Sequence, residues 1–320
     1  MINSILFLGY SNLLKTRILP IIDSLNIQSV SIAKFRKQKW DDELKKYNYP
    51  ISYYDNYEEA LNLFSGNVVY VSIVNSQHYK YALLSLERGF NVIIDKPATL
   101  QLDEAIHLTN IARQKNLLLS EATVYLMHPQ FELINEIYTR NNDAPKLITA
   151  HFSMPPFRDD NFRYRKELGG GAIFDTAPYA VSLGRHFFKE LPIHVQCVIN
   201  ERTDDGLDIA YSLLMAYPNG KCLIGHFGFN TEYINQLMLF GNQTNVSLSR
   251  VFTIPEHQEN IIHVAHKNKY SEERSKAGNN FRLYLEKYLK ILDGGNCDDF
   301  YADLLLDAQA KEMIINHIMQ

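Results

Sequence analysis

A chain of 320 residues, 46% apolar and 21% charged, has enough material for a sizeable core and room for two domains. Its net charge of −4 argues against nucleic acid as the main partner. Cys197, Cys222 and Cys297 show no C-x-x-C spacing, the apolar run after Met1 ends at Gly9, and no stretch reaches transmembrane length, which argues against a disulfide framework, a zinc module and a membrane protein and for a reducing, cytoplasmic setting.

In chain order, Ile5 to Leu8 predicts a first strand closed by Gly9, and Leu13, Leu14, Ile18, Leu19 and Ile22 recur at helical spacing behind it. Strand, glycine turn and helix open a dinucleotide-binding unit, in which phosphate rests on the helix N-terminus. The G-x-G-x-x-G pattern is incomplete, because Ser11 stands at the second glycine and Leu14 at the third. Gly9, Ser11, Asn12 and Leu13 are the first candidate cofactor contacts; the Ser11 hydroxyl and the Asn12 amide can donate hydrogen bonds in place of a bare glycine turn.

Ser29 to Ala33 predicts the second strand. An acid at its end would hold a ribose diol, whereas a base accommodates a 2′-phosphate. Lys34 and Arg36 stand there, with Lys37 and Lys39 behind them, so NADP is expected, with NAD as the other possibility. A solvated basic loop is the competing reading of the same run. Residues 51–54 form a short apolar–aromatic segment, and a helix follows over 57–64. Val68 to Val74 is a near-continuous β run, ending in Asn75-Ser76-Gln77-His78, and a helix follows to Arg88.

Val92, Ile93 and Ile94 then predict a buried strand that Asp95-Lys96-Pro97 stops, since Pro97 cannot donate to a ladder and holds Lys96 extended. This fixes a carboxylate and an ammonium at the carboxyl end of a central strand, where open α/β sheets bind ligands. Asp103 is the expected cap of a helix running to Gln114, and Leu117 to Leu119 the expected strand before Glu121. Alternating strands and helices imply a doubly wound parallel sheet over residues 1–122.

From 123 to 320 the pattern changes. After a helix over 129–138, strands dominate at 146–152, 194–200, 209–217, 221–229 and 236–240, with Asn219-Gly220 as a hairpin signal between two of them. A largely antiparallel open sheet is expected, giving an α/β chain whose second part is an α+β domain. Helices close it over 281–292 and 299–318, the last expected to pack back on the first domain. His263 and His266, with Glu256 and Glu259 upstream, are the only candidate metal ligands, and nothing in the sequence brings them onto one surface; no metal site is expected.

The second stretch with chemistry is Gly169-Gly170-Gly171 followed by Ala172-Ile173-Phe174-Asp175-Thr176-Ala177-Pro178-Tyr179. Three glycines ahead of a helix allow close backbone approach. Asp175 and Tyr179, four apart, share a helix face. A Tyr hydroxyl can protonate a forming alkoxide, and a neighbouring ammonium such as Lys96 would bring its pKa, ordinarily near 10, towards a useful range. Pro178 should kink the helix between them.

Several of these stretches resemble the Gfo/Idh/MocA family. Asp95-Lys96-Pro97 resembles its Glu-Lys-Pro signature, with Asp for Glu. Asn75 and His78 match its Pro/Asn-x-x-His step, Glu121 with His128-Pro129 resembles its domain crossover, and Asn161-Phe162-Arg163 with Glu167 to Gly171 resembles its approach to the second-domain helix. The resemblance covers nearly the whole chain. It implies an N-terminal Rossmann domain and a C-terminal α/β domain whose open sheet forms a homodimer or homotetramer interface. It also implies hydride transfer between nicotinamide and a carbonyl or hydroxyl of a sugar, polyol or sugar nucleotide. Lys96 falls on the catalytic lysine, Asp175 on the substrate-orienting aspartate, and Tyr179 on the proton donor, where many members carry His. Asn75, His78, Asp95, Lys96, Pro97 and Glu121 are then expected to line the cofactor, and Arg163, Asp175 and Tyr179 the substrate. The expected activity is reduction of a keto-sugar or sugar nucleotide, with sugar or polyol oxidation or a non-catalytic dinucleotide-binding regulator as alternatives.

Overall fold

The computed structural model describes residues 3–34 and 42–319. Arg36, Lys37 and Lys39 lie outside the described residues. The chain divides into two compact units: residues 1–122 with 284–305, and residues 123–283 with 306–320.

The first unit is built on six parallel strands in the order β3-β2-β1-β4-β5-β6, with β1 Asn3–Leu8, β2 Ile27–Ala33, β3 Ile51–Tyr54, β4 Val68–Val71, β5 Asn91–Ile94 and β6 Leu119–Glu121. Strands β1, β4 and β5 are apolar on both faces and wholly buried over Ile5–Leu8, Val68–Val71 and Val92–Ile94, as a parallel sheet covered on both sides requires. The order reverses between β1 and β4, so the carboxyl ends of these strands form the crevice in which such sheets take ligands. Helices α1 Tyr57–Leu63, α2 His78–Glu87 and α3 Leu102–Lys115 connect the strands.

Two local expectations are corrected here. The helix behind β1 is not a regular α-helix: it becomes a π-helical turn over Leu14–Ile18 and then a 3-10 segment over Leu19–Ser24. Pro20 has no N–H to give the Thr16 carbonyl, so the α-ladder cannot pass through it. Asp103 does not cap α3. The helix starts after Gln101, and the Glu104 carboxylate reaches back to the amides of Leu100 and Gln101 at 3.2 Å each.

The second unit carries an eight-stranded sheet in the order β14-β13-β12-β11-β7-β10-β9-β8. Its strands are β7 Leu147–Ser153, β8 His194–Arg202, β9 Asp208–Ala216, β10 Cys222–Gly228, β11 Ile234–Phe240, β12 Thr244–Ser249, β13 Ile261–His266 and β14 Lys269–Arg274. All neighbours are antiparallel except β7 and β10. Asn219 and Gly220, both at positive φ, turn the chain between β9 and β10 as expected. The last three strands were not legible as strands. Helix α4 Pro129–Arg140 precedes the sheet, and α5 Ala172–Phe188 packs against β7, β9 and β10. This leaves the opposite face open, where Val198, Ile224 and Met238 are 62%, 42% and 41% exposed.

Helices α6 Asn280–Leu292 and α7 Asp298–Met319 end the chain. Within the first unit, Tyr284 donates to Ser120 Oγ at 2.7 Å, Tyr288 to the Leu118 carbonyl at 3.3 Å, and Tyr301 to the Leu117 carbonyl. Within the second, Arg185 and Asp307 form a buried two-pronged ion pair at 2.8 and 3.0 Å. No helix among the described residues is long and apolar enough to cross a membrane.

Candidate active site

In the first unit the candidate residues collect at the carboxyl ends of β1, β4, β5 and β6. Gly9 sits at φ +105°, and a Cβ there would fall 2.0 Å from the Ser72 carbonyl oxygen, so only glycine lets β1 leave the sheet this close to β4. Ser11 takes over the helix start: its hydroxyl accepts the Leu14 amide at 3.1 Å, and its carbonyl the Lys15 amide at 3.1 Å. Leu14, at the third glycine position, is buried in the core. Asn12 is exposed and Leu13 half-buried. This turn suits a dinucleotide through its Gly9 cradle, although serine chemistry replaces the second glycine.

The Ser11 hydroxyl also lies 3.0 Å from the Ser72 hydroxyl, which donates to Asp95 Oδ2 at 2.6 Å, while Tyr70 donates to Asp95 Oδ1 at 2.7 Å. A chain of hydrogen bonds thus joins the glycine turn to the Asp-Lys-Pro turn. Burial pushes the Asp95 carboxyl up, and the Ser72 and Tyr70 bonds and the charges of His78 and Lys96 act against that rise. Ser72 and Tyr70 went unrecognised as site residues because they read only as members of a strand.

The Lys96–Pro97 peptide is cis. The turn is held on both sides: His78 Nδ1 lies 2.8 Å from the Pro97 carbonyl oxygen, and the Ala98 amide donates to Glu121 Oε2 at 3.2 Å. His78 is fully buried, with Nε2 on the Ile73 carbonyl oxygen at 3.0 Å, so its ring is engaged inside the protein. Asn75 is buried in the short helical turn before it. Lys34 is 5% exposed at the end of β2, and its amide donates to the Tyr54 carbonyl at 3.1 Å.

The second unit holds the other group on α5. Gly171 at φ +108° precedes the helix, and Asp208 of β9 caps it, accepting the Ile173 amide at 2.7 Å. Asp208 is 35 residues away in sequence and no local signal marks it. The helix passes through Pro178 without interruption, although Pro178 has no N–H to give the Phe174 carbonyl. Asp175 is buried and accepts from Arg163 at 2.8 Å from Nε and 3.3 Å from the terminal nitrogen, while the guanidinium lies over the rings of Phe157 and Phe162. Arg163 and Asp175, both expected to face substrate, are therefore paired with each other. Tyr179 packs among Tyr125, Phe152 and Phe252, with ring centroids 4.9–5.4 Å away. One helix end thus gathers Arg163, Asp175 and Tyr179.

His263 and His266 sit three apart on β13 and so point to opposite faces. His263 Nδ1 is 3.3 Å from Glu272, and His266 Nδ1 is 3.0 Å from the Thr244 hydroxyl. Among the described residues no three His, Cys, Asp or Glu side chains are grouped to hold a metal.

Residues 4–123 match the model of the GFO/IDH/MocA oxidoreductase family, NAD-binding Rossmann fold, and residues 144–247 match its C-terminal domain model. The chain belongs to the Gfo/Idh/MocA family. Among curated Gfo/Idh/MocA and related proteins, the dTDP-3,4-didehydro-2,6-dideoxy-alpha-D-glucose 3-reductase of Saccharopolyspora spinosa is 28% identical, over 68% of this chain and 65% of that one. The enzyme of the same description from Actinomadura kijaniata is 22% identical over 96% of this chain and 93% of its own length. A crystal structure of a 3-ketoreductase from Actinomadura kijaniata, in complex with NADP and TDP-benzene, covers 99% of this chain and 98% of that one at a TM-score of 0.90 and 20% identity. The fold expectation, a Rossmann unit followed by a largely antiparallel open-sheet domain, is met.

Proposed function

We propose that this chain is an NADPH-dependent reductase of a keto-sugar carried on a nucleotide, acting in the cytoplasm. The observation that carries the reading is Lys96 at the carboxyl end of β5, in a turn gripped from both sides by His78 and Glu121 and tied through Asp95 and Ser72 to the Gly9 turn. The 3-reductase relatives and the NADP and TDP-benzene complex of the Actinomadura kijaniata enzyme support the substrate class and the cofactor.

NADPH would be held by the Gly9–Leu13 turn and would supply the hydride. Lys96 then stabilises negative charge on the carbonyl oxygen as it is reduced, and the Tyr179 hydroxyl delivers the proton. Asp175 and Arg163 act as one ion-paired unit that orients the sugar. The 2′-phosphate is read by basic residues at the end of β2, where Lys34 and Arg36 stand in place of a ribose-binding acid. A charge-assisted contact of that sort is worth roughly 1.5–3 kcal/mol.

The test uses purified wild type with dTDP-linked and free keto-sugars, following the absorbance of reduced nicotinamide. NADPH should be preferred to NADH by about tenfold or more. Lys96→Met should lower turnover roughly a hundredfold or more while cofactor binding persists. Equal use of NADH, or wild-type turnover by Lys96→Met, would overturn the respective assignment. The interrupted helix behind Gly9 favours a second reading, a non-catalytic dinucleotide-binding regulator, which absence of turnover on every sugar in either direction would select.

The open face of the second unit's sheet supports assembly into a homodimer or homotetramer. Its registered rows place Leu214, Ile224, Thr149 and Met238 side by side across four strands, and Ser212, His226, His151 and Gln236 in the next row.

A further inference from the structure

His78 has two ring nitrogens and both face oxygens that can only accept. Nδ1 lies 2.8 Å from the carbonyl of Pro97 and Nε2 lies 3.0 Å from the carbonyl of Ile73. A neutral imidazole has one N–H, so whichever tautomer formed would aim a nitrogen lone pair at a carbonyl oxygen in the fully buried interior. Only the doubly protonated ring donates to both. We infer that His78 is a standing imidazolium, a positioning residue whose two hydrogen bonds lock the Lys96-Pro97 turn of β5 to the end of β4. The inference rests on the catalytic reading of Lys96 for its consequence, but not for the charge itself.

The charge has a counterpart. Asp95 is partly buried beside the same turn, where burial raises its carboxyl and the nearby positive charges act against that rise. Tyr70 and Ser72 from the β4 side donate to the two Asp95 oxygens and hold the carboxylate in place, and Glu121 at the end of β6 accepts from Ala98 two residues beyond Lys96. His78 is the first residue of α2, where the helix dipole opposes a cation. Two charge-assisted bonds and a nearby carboxylate outweigh that opposition, because the dipole effect is modest and the alternative is an unsatisfied buried nitrogen. The physical result is that the turn carrying Lys96 is pinned at Pro97 by a donor that cannot relax into a second tautomer. Small displacements at a reacting centre are costly, so the pin should matter to turnover.

The charge is tested on the full-length wild type, labelled with 15N-histidine and without added ligand, by NMR at several pH values from neutral to mildly alkaline. The inference expects His78 to show two protonated ring nitrogens throughout, with both N–H protons protected from exchange, when ordinary histidines have become neutral. A single protonated nitrogen at neutral pH would overturn it. The positioning role is tested with His78→Gln, which keeps one donor and removes the charge. Its kcat with NADPH and a dTDP-linked keto-sugar should fall about ten- to a hundredfold, with NADPH affinity within about twofold of wild type. Unchanged kcat in a folded variant would overturn the positioning role. Failure of the sugar panel in wild type would bear on the proposed activity alone, since the NMR result is read without turnover.

Discussion

Tyr179 is the residue at which chemistry and packing separate most cleanly. Its ring is locked among Tyr125, Phe152 and Phe252, and that contact does not need the hydroxyl. Tyr179→Phe should therefore keep stability within about 1 kcal/mol while losing about a hundredfold or more in turnover. Tyr179→His should keep part of the activity, because an imidazole titrates near neutrality and can give a proton. Urea unfolding and single-turnover oxidation of NADPH check the two halves separately, and equal activity in Tyr179→Phe would move proton delivery to another group. At this scale the sequence was readable where chemistry is written in residue type: Lys96, Asp175 and Tyr179 stand out as candidates. It was not readable where role depends on partners. Arg163 reads as a substrate contact and is paired to Asp175, while His78 reads as a cofactor contact and has its ring buried inside the protein. Nothing in the local sequence could report either, since the partners lie 12 and 19 residues away.

Helix α4 offers a test at the scale of an element. Its N-cap is His128, whose Nδ1 accepts the Gln130 amide at 3.2 Å, so the ring must be neutral on that nitrogen. Burial lowers the His128 pKa to about 4. The folded-state value lies below the unfolded one, so the unfolded chain binds the extra proton first. Stability from this group is full above about pH 6.5 and is lost as pH falls towards 4. The loss is on the order of 3 kcal/mol at most. His128→Asn keeps an N-cap acceptor and cannot titrate, so its urea midpoint should drop less than that of wild type between neutral pH and pH 5. A parallel drop in both would assign the acid sensitivity elsewhere, with His151 and His226 next, both lowered by burial. Element boundaries tell the same story as the residues. The strands of the parallel sheet were legible because they are continuous apolar runs. The last three strands of the second unit were not, because β14 is mostly exposed and polar and β13 alternates only weakly. The helix behind β1 had the right spacing of leucines and isoleucines, and Pro20 overrode it.

For the molecule as a whole, the open sheet face makes one quantitative demand. If a second copy covers it, a charge placed in the middle of the registered apolar row must break the pair. Ile224→Lys should yield monomers by analytical ultracentrifugation at concentrations where wild type associates, with its own fold intact by circular dichroism. Association unchanged by Ile224→Lys would move the interface off this face. A different consequence follows from the path of the chain, which returns residues 284–305 to the first unit after the second has been written. Leu117, Leu118 and Ser120 accept or share hydrogen bonds from tyrosines encoded 164 to 184 residues later. At roughly 5–20 residues per second, a ribosome has about 10–40 s of further synthesis between releasing β6 and supplying those tyrosines. Over that interval a nascent sheet would stand with one flank uncovered, a natural docking point for a holdase. A fragment cut after Ala122 would keep that flank permanently, so trimming the C-terminus should cost solubility in the dinucleotide-binding half first.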